Sequence, residues 1–143
     1  MGYSHEAIRR RLLSTRLDDR RVAAIMIGKS RQYEYVPELM HLLEADTSAD
    51  VRSMAAFALD LLGSAEAIPA LITALYDSSF DVRNNAGWAL VNIATRIMPQ
   101  LVLPDMIDIL RDESHAHARQ MAYLVLSNIP HDDARSALDQ YWN

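Results

Sequence analysis

Two sets of side chains in this sequence stand at spacings that can do chemistry. Trp88 and Asn92 lie four residues apart, which on a helix puts an indole and an amide on one face. The amide offers a donor and an acceptor to a peptide unit, and an indole is a favoured anchor in protein interfaces. Arg20, Arg52, Arg83 and Arg119 recur at intervals of 32, 31 and 36, each two residues after Asp18, Asp50, Asp81 and His117 respectively. A guanidinium takes a carboxylate through two parallel hydrogen bonds, so stacking equal positions would build a structural ladder of Asp18, Arg20, Asp50, Arg52, Asp81, Arg83 and Arg119. Other patterns lack the partners their chemistry needs. Gly28-Lys29-Ser30 ends like a phosphate-binding loop, but Ala23 stands where that loop needs its first glycine, and the segment follows a helical pattern. His115 and His117 are two apart, with no companion ligand at helical spacing. Asp132-Asp133 reads as the cap of a last helix. Cys is absent, and so are thiolate ligands, Cys nucleophiles and disulfides. No catalysis, cofactor or metal is expected.

A repeat must position these residues. Asp50-Val51-Arg52-Ser53-Met54-Ala55-Ala56-Phe57-Ala58-Leu59 aligns with Asp81-Val82-Arg83-Asn84-Asn85-Ala86-Gly87-Trp88-Ala89-Leu90. The segments Asp18 to Ile27 and His117 to Leu126 are further copies. Between them a second element recurs as Val36-Pro37-Glu38-Leu39, Ile68-Pro69-Ala70-Leu71 and Leu103-Pro104-Asp105-Met106, the last after a short insertion at 96–100. Apolar residues at i, i+3, i+4 and i+7, such as Ala55, Ala58, Leu59 and Leu62, mark both elements as helices. Proline early in one helix costs little, and Asp50 and Asp81 sit where N-cap carboxylates would serve the other. First helices are predicted at 4–15, 34–45, 65–77, 100–112 and 132–142, second helices at 18–30, 50–62, 81–94 and 116–129. One pair cannot bury its apolar stripe alone, so the pairs must stack into an α-solenoid.

A proline-bearing first helix followed by Asp-Val-Arg-x-x-Ala-x-x-Ala-Leu in the second resembles HEAT repeats. The short period, with Ala65-Glu66-Ala67-Ile68-Pro69-Ala70-Leu71 after Gly63, is similar to the HEAT-like repeats of phycobilisome lyases. The resemblance covers about residues 18–129. It implies an all-α fold, a solenoid of about four hairpins plus a C-terminal capping helix, with 1–143 as a single domain. It also implies that the second helices line the concave surface.

On a helical wheel centred on Ala86, Ala89, Leu90 and Ile93 turn inward. Trp88 turns outward with Asn84, Val91 and Thr95, and Asn85 and Asn92 lie on the shoulder. The Trp88 position holds Ile25, Phe57 and Leu124 in the other copies, a column of large apolar residues. The segment Ala86 to Ala94 resembles the third helix of armadillo repeats, whose Trp and Asn stand four apart. That resemblance implies an indole stacking on aliphatic parts of an extended peptide and an Asn amide holding its backbone. Asn128 repeats the Asn with Leu124 in place of Trp, and the earlier copies carry Phe57 with Leu61 and Ile25 with Lys29.

The expected function is a non-catalytic scaffold or adaptor that binds a protein or peptide through Phe57, Asn84, Asn85, Trp88, Asn92, Gln120, Tyr123 and Asn128. The lyase-like resemblance implies an alternative, a subunit of a bilin lyase-like complex. Residues 1–31 hold eight basic and three acidic side chains, which suggests nucleic acid as another partner of the N-terminal helices. The remainder holds six basic and sixteen acidic ones and should repel phosphate, as the net charge of −5 indicates, so nucleic acid is not the expected ligand. A basic head, an acidic body and an apolar Tyr141-Trp142 end predict weak head-to-tail self-association. No apolar run approaches the ~20 residues of a membrane span, and the lack of Cys fits a reducing compartment, so a cytoplasmic protein is expected.

Overall fold

The computed structural model describes residues 2–142. Its helices are α1 (His5–Leu12), α2 (Leu17–Lys29), α3 (Val36–Ala45), α4 (Ala49–Leu62), α5 (Ile68–Ala74), α6 (Phe80–Arg96), α7 (Leu103–Arg111), α8 (Ala116–Ser127) and α9 (Asp132–Tyr141). No strand occurs among the described residues. Each odd-numbered helix from α1 to α7 packs on the even-numbered one that follows it. The even-numbered helices α2, α4, α6 and α8 also pack on one another in series, and α9 closes the end against α7 and α8. The result is the two-layered all-α solenoid that the repeat requires. Between the layers runs one apolar core, with Ile8, Ile27, Leu39, Leu59, Leu71, Leu90, Met106 and Leu126 essentially sealed from solvent.

The first helices open in a shared way. A 3₁₀ turn at Tyr33–Tyr35, Ala65–Ala67 or Pro99–Leu101 leads into α3, α5 or α7, and Pro37, Pro69 and Pro104 stand second in those helices. The first four N–H groups of a helix lack intrahelical acceptors, so a residue without an N–H fits there. The predicted ranges starting at 34, 65 and 100 merge each 3₁₀ turn with its helix.

The N-caps differ from expectation. Ser48 and Ser79 precede α4 and α6, and Val51 N–H donates to Ser48 Oγ (3.4 Å). Asp50 and Asp81 lie inside the first turn, where the positive helix end still favours them.

Helix ends explain why the period breaks. α4 stops at Gly63, whose φ of 64° is the left-handed conformation that glycine adopts without strain. The equivalent residue in α6 is Ala94, the best helix former, and α6 runs on to Arg96 rather than ending at the predicted 94. The chain turns back later, through Ile97 and Met98, which are about half exposed. That overrun is the insertion seen in the sequence.

Candidate functional site

The arginine positions do form rungs, but with other carboxylates than expected. Arg20 Nε donates to Asp46 Oδ2 (2.8 Å) and Nη2 to Oδ1 (3.2 Å), while Nη1 donates to the Ser14 carbonyl (3.0 Å). Arg52 repeats this with Asp77 (2.9 and 3.1 Å) and the Asp46 carbonyl (2.9 Å). Each arginine thus fastens the loop of its own hairpin to the loop of the next. Asp46 and Asp77 also accept from the N–H of Ser48 and Ser79, both at 2.9 Å, which fixes the carboxylates in place. Burial pushes the Asp46 carboxyl up, but the hydrogen bonds from Arg20 and Ser48 outweigh it and hold the group below its ordinary value. Asp18, Asp50 and Asp81 take no part. Two residues apart on a helix is a turn of about 200°, so an arginine facing the loops leaves the preceding aspartate facing the other way. Asp18 meets only Arg21 (3.3 Å) on the surface, and Asp50 and Asp81 have no ion-pair partner among the described residues. The signal for the true partners is Asp-x-Ser before a second helix, present as Asp46-Thr47-Ser48, Asp77-Ser78-Ser79 and Asp112-Glu113-Ser114.

The third rung does not close. Arg83 Nη1 donates to the Asp77 carbonyl (2.8 Å), yet its Nε is buried with no hydrogen-bond partner among the described residues. Asp112, the equivalent of Asp46 and Asp77, turns instead to the Ser114 hydroxyl and to His115 (3.0 Å). Those bonds and the Ser114 N–H hold its carboxyl down at about 2. His115 also meets the Tyr76 ring edge-on at 5.1 Å. Arg119 is tied through carbonyls, Nε to Leu110 (2.7 Å) and Nη2 to Tyr141 (2.6 Å), and its guanidinium lies 4.6 Å from the Trp142 ring centroid.

The face of α2, α4, α6 and α8 turned away from the core carries the apolar column. Phe57 is 39% and Trp88 40% exposed, at equivalent positions of neighbouring helices, while Ile25 and Leu124 are half-buried. Val91, expected outward, is buried, because 140° from the core-facing line brings it against the next helix rather than into solvent. The polar residues of the predicted site are largely engaged. Asn85 Nδ2 donates to the Ser53 hydroxyl (2.8 Å) and carbonyl (3.1 Å). Asn92 Nδ2 donates to both oxygens of Asp60 (2.8 and 3.1 Å), a residue the sequence reading passed over. Asn128 Nδ2 donates to the Leu124 carbonyl of its own helix (2.8 Å). Tyr123 is 40% exposed with one face stacked on Trp142, 4.5 Å between centroids, so the C-terminal ring folds back on the last hairpin. Asn84 is half-buried and Gln120 exposed.

Stacked hairpins, a shared apolar core and arginine rungs between loops define a helical repeat protein. The sequence matches the family model of HEAT repeats over residues 7–91, and the chain belongs to that family. The match ends in α6, just before the overrun at Ala94. No curated protein matches the sequence. Among solved structures, a chain of the complex of CpcE and CpcF of phycocyanin lyase from Nostoc sp. PCC7120 superposes with a TM-score of 0.65 at 23% identity, covering 96% of this chain and 63% of that one. An engineered protein superposes with a TM-score of 0.62 at 21% identity, covering 96% of this chain and 68% of that one. At these identities the likeness is one of fold. This chain spans less than two thirds of the length of the lyase chain. Among the described residues no helix is long and apolar enough to cross a membrane.

Proposed function

We propose that this chain is a non-catalytic adaptor that holds a partner protein against the face of its second helices that is turned away from the core. The observation that carries this is the exposure of Phe57 and Trp88 at equivalent positions of the packed helices α4 and α6. Two large rings at equivalent positions of one open face make an apolar patch rather than scattered exposure, and aromatic rings anchored in a desolvated patch dominate binding energy. Gln120 and Tyr123 on α8 extend the face, and Asn84, Asn85, Asn92 and Asn128 edge it with polar groups. The arginine rungs supply the rigidity that keeps the rings in register. The test is a displayed peptide library selected on the wild-type protein and counter-screened on a Phe57→Ala, Trp88→Ala variant. Enriched sequences should lose about tenfold or more in affinity for the variant, the loss of an interface anchor. Equal binding by both proteins would remove this face from the account.

A second reading is favoured by the likeness to a chain of the phycocyanin lyase complex. Here the chain is one subunit of a two-protein assembly acting on an open-chain tetrapyrrole. Co-expression with bilin, an acceptor phycobiliprotein and a second HEAT-repeat subunit should then yield a coloured adduct, and a colourless acceptor would dismiss this reading.

A further inference from the structure

The chemistry of the partner follows from what surrounds the two rings. Asp50 stands seven residues before Phe57, and Asp81 seven before Trp88. Seven residues are nearly two helical turns, so each carboxylate lies on the same face as its ring, about 10 Å along the axis. Both are exposed and have no ion-pair partner among the described residues. Asp60, three residues beyond Phe57, adds a third negative charge, engaged only by the neutral amide of Asn92. On the outward positions of α4 and α6 around the rings there is no Lys or Arg. Arg52 and Arg83 face the loops, and Arg96 lies at the far end of α6, near Gly63. Arg31 donates to the Leu61 carbonyl, one residue beyond Asp60, so the negative field is strongest toward the Asp50 and Asp81 end of the two rings, and that end selects a positively charged occupant.

The same face says how that occupant is folded. An extended peptide must have its own N–H and C=O groups satisfied by the surface it lies on. Asn85, Asn92 and Asn128 turn their donors to Ser53, Asp60 and Leu124, which leaves Asn84 and Gln120 as the unengaged amides of the face among the described residues, too few to serve the length of an extended backbone. A helix arrives with its backbone bonds made internally and offers only side chains. We infer that the face of α4 and α6 turned away from the core receives a cationic amphipathic helix, its apolar side chains on Phe57 and Trp88 and its Lys or Arg residues opposite Asp50 and Asp81. This rests on the docking reading above and departs from the extended-peptide mode that the Trp88–Asn92 spacing suggests.

The experiment uses three fluorescent model peptides: an amphipathic Leu/Lys helix of about 15 residues, its Leu/Glu counterpart, and a Leu/Lys peptide of equal length and charge in which two central leucines are replaced by prolines. Anisotropy is read against the wild type, a Phe57→Ala, Trp88→Ala variant and an Asp50→Asn, Asp81→Asn variant, each checked for helicity and melting temperature. The cationic helix should bind best, lose about five- to tenfold on the Asp→Asn variant, and weaken as salt is raised. Equal affinity for the Leu/Glu helix, or no loss on Asp→Asn, overturns the charge assignment. Equal affinity for the proline-bearing peptide overturns the helical one. If the ring variant binds all three as the wild type does, the docking reading itself fails instead.

Discussion

The joint between α4 and α6 and the joint between α6 and α8 are built by the same repeat, yet they are held differently. Across the first run the Arg52–Asp77 rung, the Asn85–Ser53 bond and the Asn92–Asp60 bond. Across the second, no side-chain hydrogen bond or ion pair joins residues up to Arg96 to residues from Leu103 onward among the described residues. Only apolar packing and the Tyr76–His115 edge contact remain. Gly87 sits at this joint, where an added Cβ would meet the Met121 side chain at 3.3 Å. The lesson is that polar latches follow register. Once α6 overruns the position of Gly63, the fourth hairpin is reached 35 to 36 residues on, and its Asp112 no longer meets Arg83. The fourth hairpin with α9 is therefore joined to the rest without the polar latches that tie α4 and α6 together under Phe57 and Trp88.

Breaking the stiff joint should cost most. Arg52→Met leaves the part-buried Asp77 carboxylate without its partner and is expected to lose about 2–4 kcal/mol in urea unfolding. Arg83→Met loses one bond to a carbonyl and removes an unpartnered buried Nε, so it should cost at most about 1 kcal/mol. Equal losses would erase the distinction. Hydrogen exchange sharpens it next. Amides of α8 and α9 should exchange at least about tenfold faster than those of α4 and α6, as a locally opening unit does.

This contrast was only half legible in the sequence. The repeat, the layer order and the inward apolar positions follow from spacing, since 3.6-residue periodicity and stacking leave few alternatives. Asp-Val-Arg suggested pairing between neighbours in sequence order, but helix geometry sends Asp50 and Asp81 to the opposite side from Arg52 and Arg83. The true partners, Asp46 and Asp77, lie in loops, where periodicity carries no signal and only the Asp-x-Ser turn marks them. For the site, the outward turn of Trp88 and Phe57 was readable from the wheel. The engagement of Asn92 was not, because Asp60 sits 32 residues away and its approach depends on how α4 and α6 pack.

Smaller effects refine the comparison. Asn92→Ala should cost about 1 kcal/mol by stripping Asp60 of its donor. Asn128→Ala, on the exposed end of α8, should stay within about 0.5 kcal/mol. The smallest effect is at Asp112. Its folded value of about 2 lies below the ordinary 3.8, so its contribution is present above roughly pH 4 and is lost as pH falls toward 2. Asp112→Asn should flatten that part of the acid unfolding curve, and an unchanged curve would mean the Ser114 and His115 bonds do not persist in solution.

The most direct test concerns the indole. Trp142→Phe leaves Trp88 as the only tryptophan of the chain's two. Its fluorescence should be quenched by acrylamide to a degree between those of a free and a buried indole. Caesium should quench it more strongly relative to iodide than it does free N-acetyltryptophanamide, because Asp50, Asp60 and Asp81 attract the cation. A Trp88 that resists acrylamide, or one that iodide reaches more readily than caesium on that scale, would contradict an open, negatively charged docking face.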